Sequence, residues 1–353
     1  NLMTKDSWTL NNFNIISKLN FALIKTLNYI AINNKLPRYE DISLHFNKLY
    51  KIDNPIIPIK YIFKNLIPLI VKFLYHKIIP FKKTYWSIAY RKFNGFKSSL
   101  FRYKEIKNPK NRFLADPFVF SKNNRSIIYA EDYSFEKKKG DISAIEIFDG
   151  YEKHLGIVLS EKFHLSFPFV FEYENGIYMI PETAEINEIR IYKCYEFPTS
   201  WKYHKTIMKN VSAADNLIIY KNDTWFLLSN ICSGRGDDHN SELHIFYADN
   251  PLSNQWQSIE CGNPVIFDPY KARNAGILFK DNNIYRVNQI NKNKSYGHSF
   301  GINLINILNK QEFKETRLCE VDPNFKDEIV KTHHFHSNNF YNVIDFCRFK
   351  NSK

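Results

Sequence analysis

Between Phe113 and Phe349 the order of apolar and polar positions repeats five times: a short apolar strand, a polar turn, then an aromatic-rich strand ending on a polar residue. The first copy runs from Ala115-Asp-Pro-Phe-Val-Phe120 to Ile127-Ile-Tyr-Ala-Glu131. The second runs from Phe167-Pro-Phe-Val-Phe-Glu172, through a turn at Asn175-Gly176, to Ile177-Tyr-Met-Ile-Pro-Glu182. Asp215-Asn-Leu-Ile-Ile-Tyr220, a turn at Asn222-Asp223 and Trp225-Phe-Leu-Leu-Ser-Asn230 make the third. The fourth joins Arg273-Asn-Ala-Gly-Ile-Leu-Phe279 to Ile284-Tyr-Arg-Val-Asn-Gln289 through Asp281-Asn-Asn283. The fifth joins His334-Phe-His336 to Tyr341-Asn-Val-Ile-Asp345 through Asn338-Asn339. Hairpin repeats of about 50–60 residues predict an all-β, five-bladed β-propeller. Each copy then delivers its polar ends to one place near the central axis.

Upstream the period changes. Residues 1–50 read as helical from the three- and four-residue spacing between Phe13 and Ile24, until Pro37, Pro55 and Pro58 break the chain. Ile59–Ile79 reads as an amphipathic helix with Lys60, Lys64 and Lys72 on one face and a kink at Pro68. Residues 1–83 are thus expected as a small basic helical segment and residues 84–350 as the propeller. Residues 56–83 fit two roles equally: a helix lying on an anionic membrane, or one packed on the propeller with a solvated basic face. Thr84–Arg91 predicts a strand, placed outermost in the sheet that closes the ring.

Charge sharpens this division. The 353-residue chain is 44% hydrophobic, enough for a large core, and carries a net +13. Residues 1–112 hold 21 Lys and Arg against 5 Asp and Glu, whereas the remainder holds 28 against 31. A near-neutral propeller argues against nucleic acid as its ligand, and the basic segment points to an anionic partner. The five cysteines form no CxxC pair, so disulfides and a zinc site are not expected and a reducing cytoplasm is. Neither a leader nor an uncharged run of about 20 residues is visible. The expectation is a cytoplasmic protein, peripheral at the inner face of the membrane. A start on Asn1 reads as a piece of a longer chain.

Asp116 and Asp215 open equivalent strands of copies one and three, so they should face each other across the axis. Paired carboxylates suit glycosyl transfer: one activates the incoming hydroxyl, the other assists the leaving group. Glu131 and Glu182 end the second strands of copies one and two and point to the same pocket; solvated strand ends are the plainer alternative for both. His164 and Ser166 should sit at its mouth, although no Gly-x-Ser-x-Gly elbow supports a hydrolase triad. Arg273 and Asn274 begin copy four and Gln289 ends its second strand. Arg273 fits a phosphate or carboxylate, or a salt bridge to one of the carboxylates above. His333, His334 and His336 lack further ligands at metal spacing, so His334 and His336 are read as pocket imidazoles, with no metal and no cofactor expected. Gly234-Arg-Gly236 with Asp237-Asp-His-Asn240 forms a polar loop, a lid or weak phosphate site.

Several of these stretches resemble a known family. Ala115-Asp-Pro-Phe118, Phe163-His-Leu-Ser-Phe-Pro-Phe-Val-Phe-Glu172, Tyr178-Met-Ile-Pro-Glu-Thr183, Ile191-Tyr-Lys-Cys194, Phe197-Pro-Thr-Ser-Trp201, Ala272-Arg-Asn-Ala-Gly276 and Tyr296-Gly297 resemble the N-terminal domain of plant glucosamine inositolphosphorylceramide transferase and its bacterial relatives. The resemblance spans roughly residues 84–349. The domain is also similar to the five-bladed glycosidases of the arabinanase, invertase and levansucrase class. That likeness implies Asp116 as base or nucleophile and Asp215 as the residue that orients and tunes the acid. It departs at the acid itself: Arg273-Asn274 stands where an acidic residue is expected, and only Glu182 answers from blade two. An arginine in the pocket with an incomplete hydrolytic set implies a donor bearing phosphate.

The expectation is therefore a glycosyltransferase of bacterial cell-surface polysaccharide or glycolipid assembly. Its donor would be a sugar phosphate or nucleotide sugar, held by Arg273 and His336, and its acceptor a glycan or lipid-linked sugar. Two alternatives stay open: a glycoside hydrolase or phosphorylase of the furanosidase-like class, and a non-catalytic carbohydrate-binding propeller.

Overall fold

The computed structural model describes residues 8–36, 59–60, 62–68, 70–71, 74, 84–93, 99–148, 150–233, 238–292 and 295–349. The chain divides into two compact units, one containing Thr84–Phe349 and the other the helices before it.

Five antiparallel sheets build the larger unit, each numbered here as a blade. Blade one comprises Arg112–Lys122, Arg125–Ser134, Lys139–Phe148 and Tyr151–Leu159. Blade two comprises Ser166–Tyr173, Gly176–Glu182, Glu188–Glu196 and Ser200–Lys209. Ala213–Lys221, Thr224–Ile231, Glu242–Ala248 and Gln257–Ser258 form blade three, with Ile266–Phe267 pairing beside Gln257–Ser258 on the third strand. Blade four is Asn274–Lys280, Asn283–Lys292, Ser295–Leu308 and Phe313–Val321. The first strands of successive blades touch one another around the ring, which makes them the inner wall of a five-bladed propeller.

Blade five is a composite. Phe335–Ser337 and Tyr341–Phe349 come from the end of the chain, and Thr84–Lys92 comes from its near start. Thr84–Lys92 pairs with Tyr341–Phe349 from Thr84↔Phe349 to Lys92↔Tyr341. The closing strand is third in its sheet rather than outermost, because Lys104–Ile106 pairs on its far side.

Local chemistry explains the hairpins. Asn123 and Asn124, Asn222 and Asp223, and Asp281 and Asn282 all have positive φ, the conformation that two-residue turns between twisted strands require and that Asn and Asp tolerate. In blade two the turn lies one residue earlier than Asn175-Gly176: Tyr173 pairs with Gly176, and Glu174 takes the positive φ. Gly176 opens the return strand because the Tyr178 ring occupies the space a Cβ would need there.

The core lies between blades. Phe118 of blade one meets Phe167 and Phe169 of blade two at ring distances of 4.8 and 5.5 Å. Leu217, Ile218, Ile219, Leu227 and Leu228 are buried on both faces of blade three. Each such side chain contributes about 1.5–3 kcal/mol on burial, and the inner strands accordingly carry short apolar runs, whereas outer strands such as Phe313–Val321 are mixed.

In the smaller unit the helix Trp8–Asn33 ends at Asn34, which adopts the left-handed conformation and donates its N–H to Ile30 O. The second helical stretch passes through a π-turn at Ile62–Leu66 just ahead of Pro68, whose ring displaces the backbone four residues back. Lys72, the breaks at Pro37, Pro55 and Pro58, and residues 234–237 of the polar loop lie outside the described residues. Among the described residues, no helix is long and apolar enough to cross a membrane.

Candidate functional site

Each of the first four inner strands carries a β-bulge near its start. The register shifts fall between Ala115 and Phe118, Ser166 and Phe169, Ala214 and Leu217, and Asn274 and Ile277. A bulge turns one side chain out of the strand's alternation. In blades one and three that residue is Asp116 or Asp215, each at φ 48°, and in blade two it is Phe167 at φ 47°. A left-handed non-glycine residue costs about 1–2 kcal/mol, so both aspartates are held against a local preference. Two backbone bonds hold them: Asp116 N–H donates to Asp345 Oδ2 at 3.3 Å, and Asn274 Nδ2 donates to Asp215 O at 2.8 Å. Opposite the bulges the second strands present Glu131, Glu182, Asn230 and Asn288.

The axial polar groups form two clusters. In the first, His333 Nε2 and His334 Nδ1 lie 3.7 and 3.6 Å from Asp116 Oδ1. His333 Nδ1 lies 2.6 Å from Asp345 Oδ2, off the line of a good hydrogen bond, so that contact is chiefly electrostatic. In the second, Arg273 Nε donates to Asp215 Oδ2 at 2.6 Å, its Nη1 to Asn240 Oδ1 at 3.2 Å, and its Nη2 lies 3.7 Å from Glu182 Oε2. Tyr296 spans both clusters, edge-on to His333 at 5.6 Å and under the Arg273 guanidinium at 5.1 Å. Gln289 Nε2 reaches Asp215 Oδ2 and Tyr296 Oη, each at 3.4 Å.

Burial in a crowd of carboxyls sets the protonation. Burial pushes Asp116 up to about 7 against the pull of His333, and Asp215 and Asp345 add to the rise. Burial and then the Asp215 charge push Glu182 up to about 8, with Arg273 opposing. Glu131 is held well above the ordinary carboxylate range by burial, then by Asp116 and Glu182. Burial opposes a charge on His333, but Asp345 and Asp116 outweigh it and raise its pKa. Burial also opposes Arg273, and Asp215 outweighs it in the same way. The site therefore pairs one carboxyl poised near neutrality with one protonated there.

The expected residues separate into three groups. Asp116, Asp215, Glu182, Arg273 and Gln289 converge as described. Glu131 and His164 form a rim pair: Gly140 N–H donates to His164 Nδ1 at 3.0 Å, leaving Nε2 3.4 Å from Glu131 Oε1. Ser166 is buried at the blade-two bulge, opposite Glu182. Asn274 is fully buried, spends its amide on Asp215 O and Leu228 O, and accepts from Arg286 Nη1, so it braces the wall instead of facing a ligand.

His336 does not fit a phosphate contact. It is buried against Phe118, with Nε2 3.3 Å from Val119 O, and burial lowers it to about 4, leaving it neutral. His334 is fully buried between Phe118 and Phe167, and burial, then His336, hold it well below the ordinary range. Nor is Arg273 available to a phosphate, because Asp215 already pairs with it at 2.6 Å. The bulge of blade four falls on Ala275 and Gly276, so the structural counterparts of Asp116-Pro117 there are not Arg273-Asn274.

Four contributors come from outside the expected set: His333, Asp345, Tyr296 and Asn240. Asp345 was visible as the polar end of the fifth repeat, whereas nothing in the Asn240 loop signalled a contact to Arg273. Ligand atoms of Asp116, His333 and Asp345 lie within 4.8 Å of one another, a spacing that could hold a cation. A His333 protonated between two carboxylates already balances that charge and offers no lone pair, so the donor set fits an ion pair better than a metal.

The family model described as glucosamine inositolphosphorylceramide transferase 1, N-terminal, matches residues 100–350. The Arabidopsis thaliana protein named glucosamine inositolphosphorylceramide transferase 1 is 34% identical over 235 residues, covering 64% of this chain and 30% of that protein. The protein of the same name from Oryza sativa subsp. japonica is 34% identical over 210 residues, covering 58% and 28%. The chain thus spans under a third of the length of the curated relatives it matches. Among solved structures, the catalytic domain of a Coprinopsis cinerea GH62 alpha-L-arabinofuranosidase superposes with a TM-score of 0.49 at 11% identity, over 74% of this chain and 97% of that one.

Proposed function

The chain belongs to the family of the N-terminal region of glucosamine inositolphosphorylceramide transferase 1, and from that premise we propose that its propeller carries a sugar-transfer site on the axis. One observation carries the proposal: Asp116 is held at about 7 and Glu182 at about 8, beside an Asp215 pinned by Arg273. Neighbouring carboxyls with separated protonation states are what acid–base glycosyl chemistry needs. Ionised Asp116 takes the proton from an acceptor hydroxyl as its oxygen bonds to the sugar carbon. Protonated Glu182 gives its proton to the departing oxygen as that bond breaks. Asp215 and Arg273 hold Glu182 and the sugar hydroxyls in place.

Charge narrows the sugar. With Glu131 and Glu182 held protonated, Asp116, Asp215 and Asp345 face Arg273 and His333, so the pocket carries no net positive charge to draw a phosphate and suits a neutral or ammonium-bearing ring. The glucosamine in the relatives' name is such a ring. Any phosphate of an activated donor would lie outside the Asp215–Arg273 pair. We assign the acceptor to the glycolipid class. The helical unit favours a lipid surface through Leu19, Leu23 and Leu27, exposed along one stripe, and through exposed Lys60 and Lys64.

The test is transfer of labelled sugar from a panel of nucleotide sugars and sugar phosphates to a glycolipid by the full chain. Asp116→Asn is expected to lower the rate roughly 10²–10⁴-fold with the fold intact; full activity in that variant would sink the mechanism. A second reading, a glycan-binding propeller without catalysis, is favoured by the chain's span of under a third of its relatives. It predicts glycan binding, no turnover with any donor, and no loss of binding in Asp116→Asn. Release of free sugar without an activated donor would point to hydrolysis by the same carboxyl pair.

A further inference from the structure

Asp345 lies on the second strand of blade five and is fully buried. Its Oδ1 accepts the backbone N–H of His333 and of His334, each at 3.0 Å, and its Oδ2 accepts the N–H of Asp116 at 3.3 Å. Asp116 belongs to blade one, so a single carboxylate bridges the last blade to the first across the seam of the ring. The same Oδ2 lies 2.6 Å from His333 Nδ1, and the far side of that imidazole approaches Asp116. Trp86, on the closing strand, stacks on the ring at 4.0 Å, and Tyr296 meets it edge-on. Thr332 Oγ1 donates to Asp345 O at 2.7 Å, which fixes the backbone beneath the carboxylate.

We infer that Asp345 is a positioning residue for Asp116: it holds the left-handed bulge that aims the Asp116 carboxyl onto the axis, and it holds the His333 ring against that carboxyl. This rests on the role proposed for Asp116. The positive φ of Asp116 is a conformation that needs outside support. Asp345 supplies it by accepting the N–H of that same residue. The Asp345 charge beside the ring raises the His333 pKa and so draws a proton onto it. Asp116 is faced by His333 and His334 from the run before blade five, by Asp345, by Asp215 and Arg273 from blades three and four, and by Glu131, Glu182 and Tyr296. Among these charges, the pull of His333 on Asp116 is stronger than the repulsion from Asp345.

Asp345→Asn keeps an acceptor for the two histidine N–H groups but turns an amide donor towards the Asp116 N–H and removes the charge. His333 then loses its proton at neutral pH, and its pull on Asp116 goes with it. The sign follows: Asp116 ionises at higher pH than in the natural chain. The measurement is a carbon-13 NMR titration of the full chain labelled in its aspartate carboxyls, with the Asp116 signal assigned by its loss in Asp116→Asn. A rise of about one pH unit in the Asp116 midpoint is expected, with circular dichroism showing the fold intact. In the transfer assay kcat at pH 7 should fall about fivefold with KM little changed, and the acid limb of the pH profile should move upward. A folded Asp345→Asn whose Asp116 midpoint stays or falls overturns the inference. Should that variant not fold, His333→Gln leaves the Asp345 backbone bonds in place and must itself raise the midpoint; an unchanged midpoint there overturns it equally. The titration needs no turnover, so a chain that transfers no sugar refutes the proposed function while still deciding the role of Asp345.

Discussion

Glu182 titrates at about 8 in the folded chain instead of 4.5, because burial and then the Asp215 charge oppose its ionisation. In the unfolded chain it ionises at its ordinary value, so between the two values the folded state binds the extra proton. The stability that Glu182 contributes is complete below about 4.5 and is lost as pH rises through about 8. At 1.36 kcal/mol per pH unit that interval corresponds to about 5 kcal/mol. Partial exposure of the side chain reduces the recoverable part to about 2–4 kcal/mol. Glu182→Gln keeps the shape and removes the ionisable group. The variant should match the natural chain near pH 4.5 and exceed it by ~2–4 kcal/mol near pH 8.5. The ion pair it removes is the 3.7 Å approach to Arg273 Nη2, long for such a contact. Urea unfolding followed by tryptophan fluorescence at both pH values measures the difference, with equal slopes showing that the same surface is exposed. A variant no more stable at pH 8.5, or one equally stabilised at both pH values, refutes the reasoning. The same substitution removes the proposed proton donor, so stability and transfer should move in opposite directions, as expected where a site is held against the preference of the fold.

Arg273→Met leaves Asp215 buried without its cation and should cost about 3–5 kcal/mol in urea unfolding at pH 7, with Asp215→Asn in the same chain restoring part of the loss non-additively. Independent, additive effects of the two substitutions would show that the pair is not coupled. Gly276→Ala should destabilise by ~2–5 kcal/mol, because φ is 118° there and the new Cβ would meet Phe335 O at 2.1 Å. A melting temperature within a degree of the natural chain would contradict that packing.

The ring of blades is legible in the sequence because its punctuation is local. Asn and Asp pairs at the hairpin tips announce two-residue turns, and the apolar runs between them have the length of strands buried on both faces. The correspondence of Asp116 with Asp215 follows from the same repeat, since both sit one residue into a bulge. Bulges are also where alignment by eye slips. An inserted residue leaves no mark in an apolar run, so copy four reads as opening on Arg273 and Asn274 while its bulge falls on Ala275 and Gly276. The fifth blade hides the most. Trp86 and Asp345 meet through His333 only after the chain closes on itself, and strand alternation alone does not say which of His333, His334 and His336 faces the axis. Burial decides that question: His333 meets the carboxylates, while His336 lies among Phe118 and the strand backbone.

The joint between Thr84–Lys92 and Tyr341–Phe349 also sets an order of assembly. During synthesis blades one to four can each form from neighbouring hairpins, but the partner of the earliest strand emerges last. Closing so long a loop costs entropy before any contact repays it, which makes this step slow. His333, Asp345 and the seam against Asp116 are completed in that step. A nascent chain stopped before Tyr341 would display four blades, an unpaired strand edge and axial groups that lack Asp345, a species prone to association. The protein acquires its chemistry and its protection from aggregation in one event, when the two ends of the propeller meet.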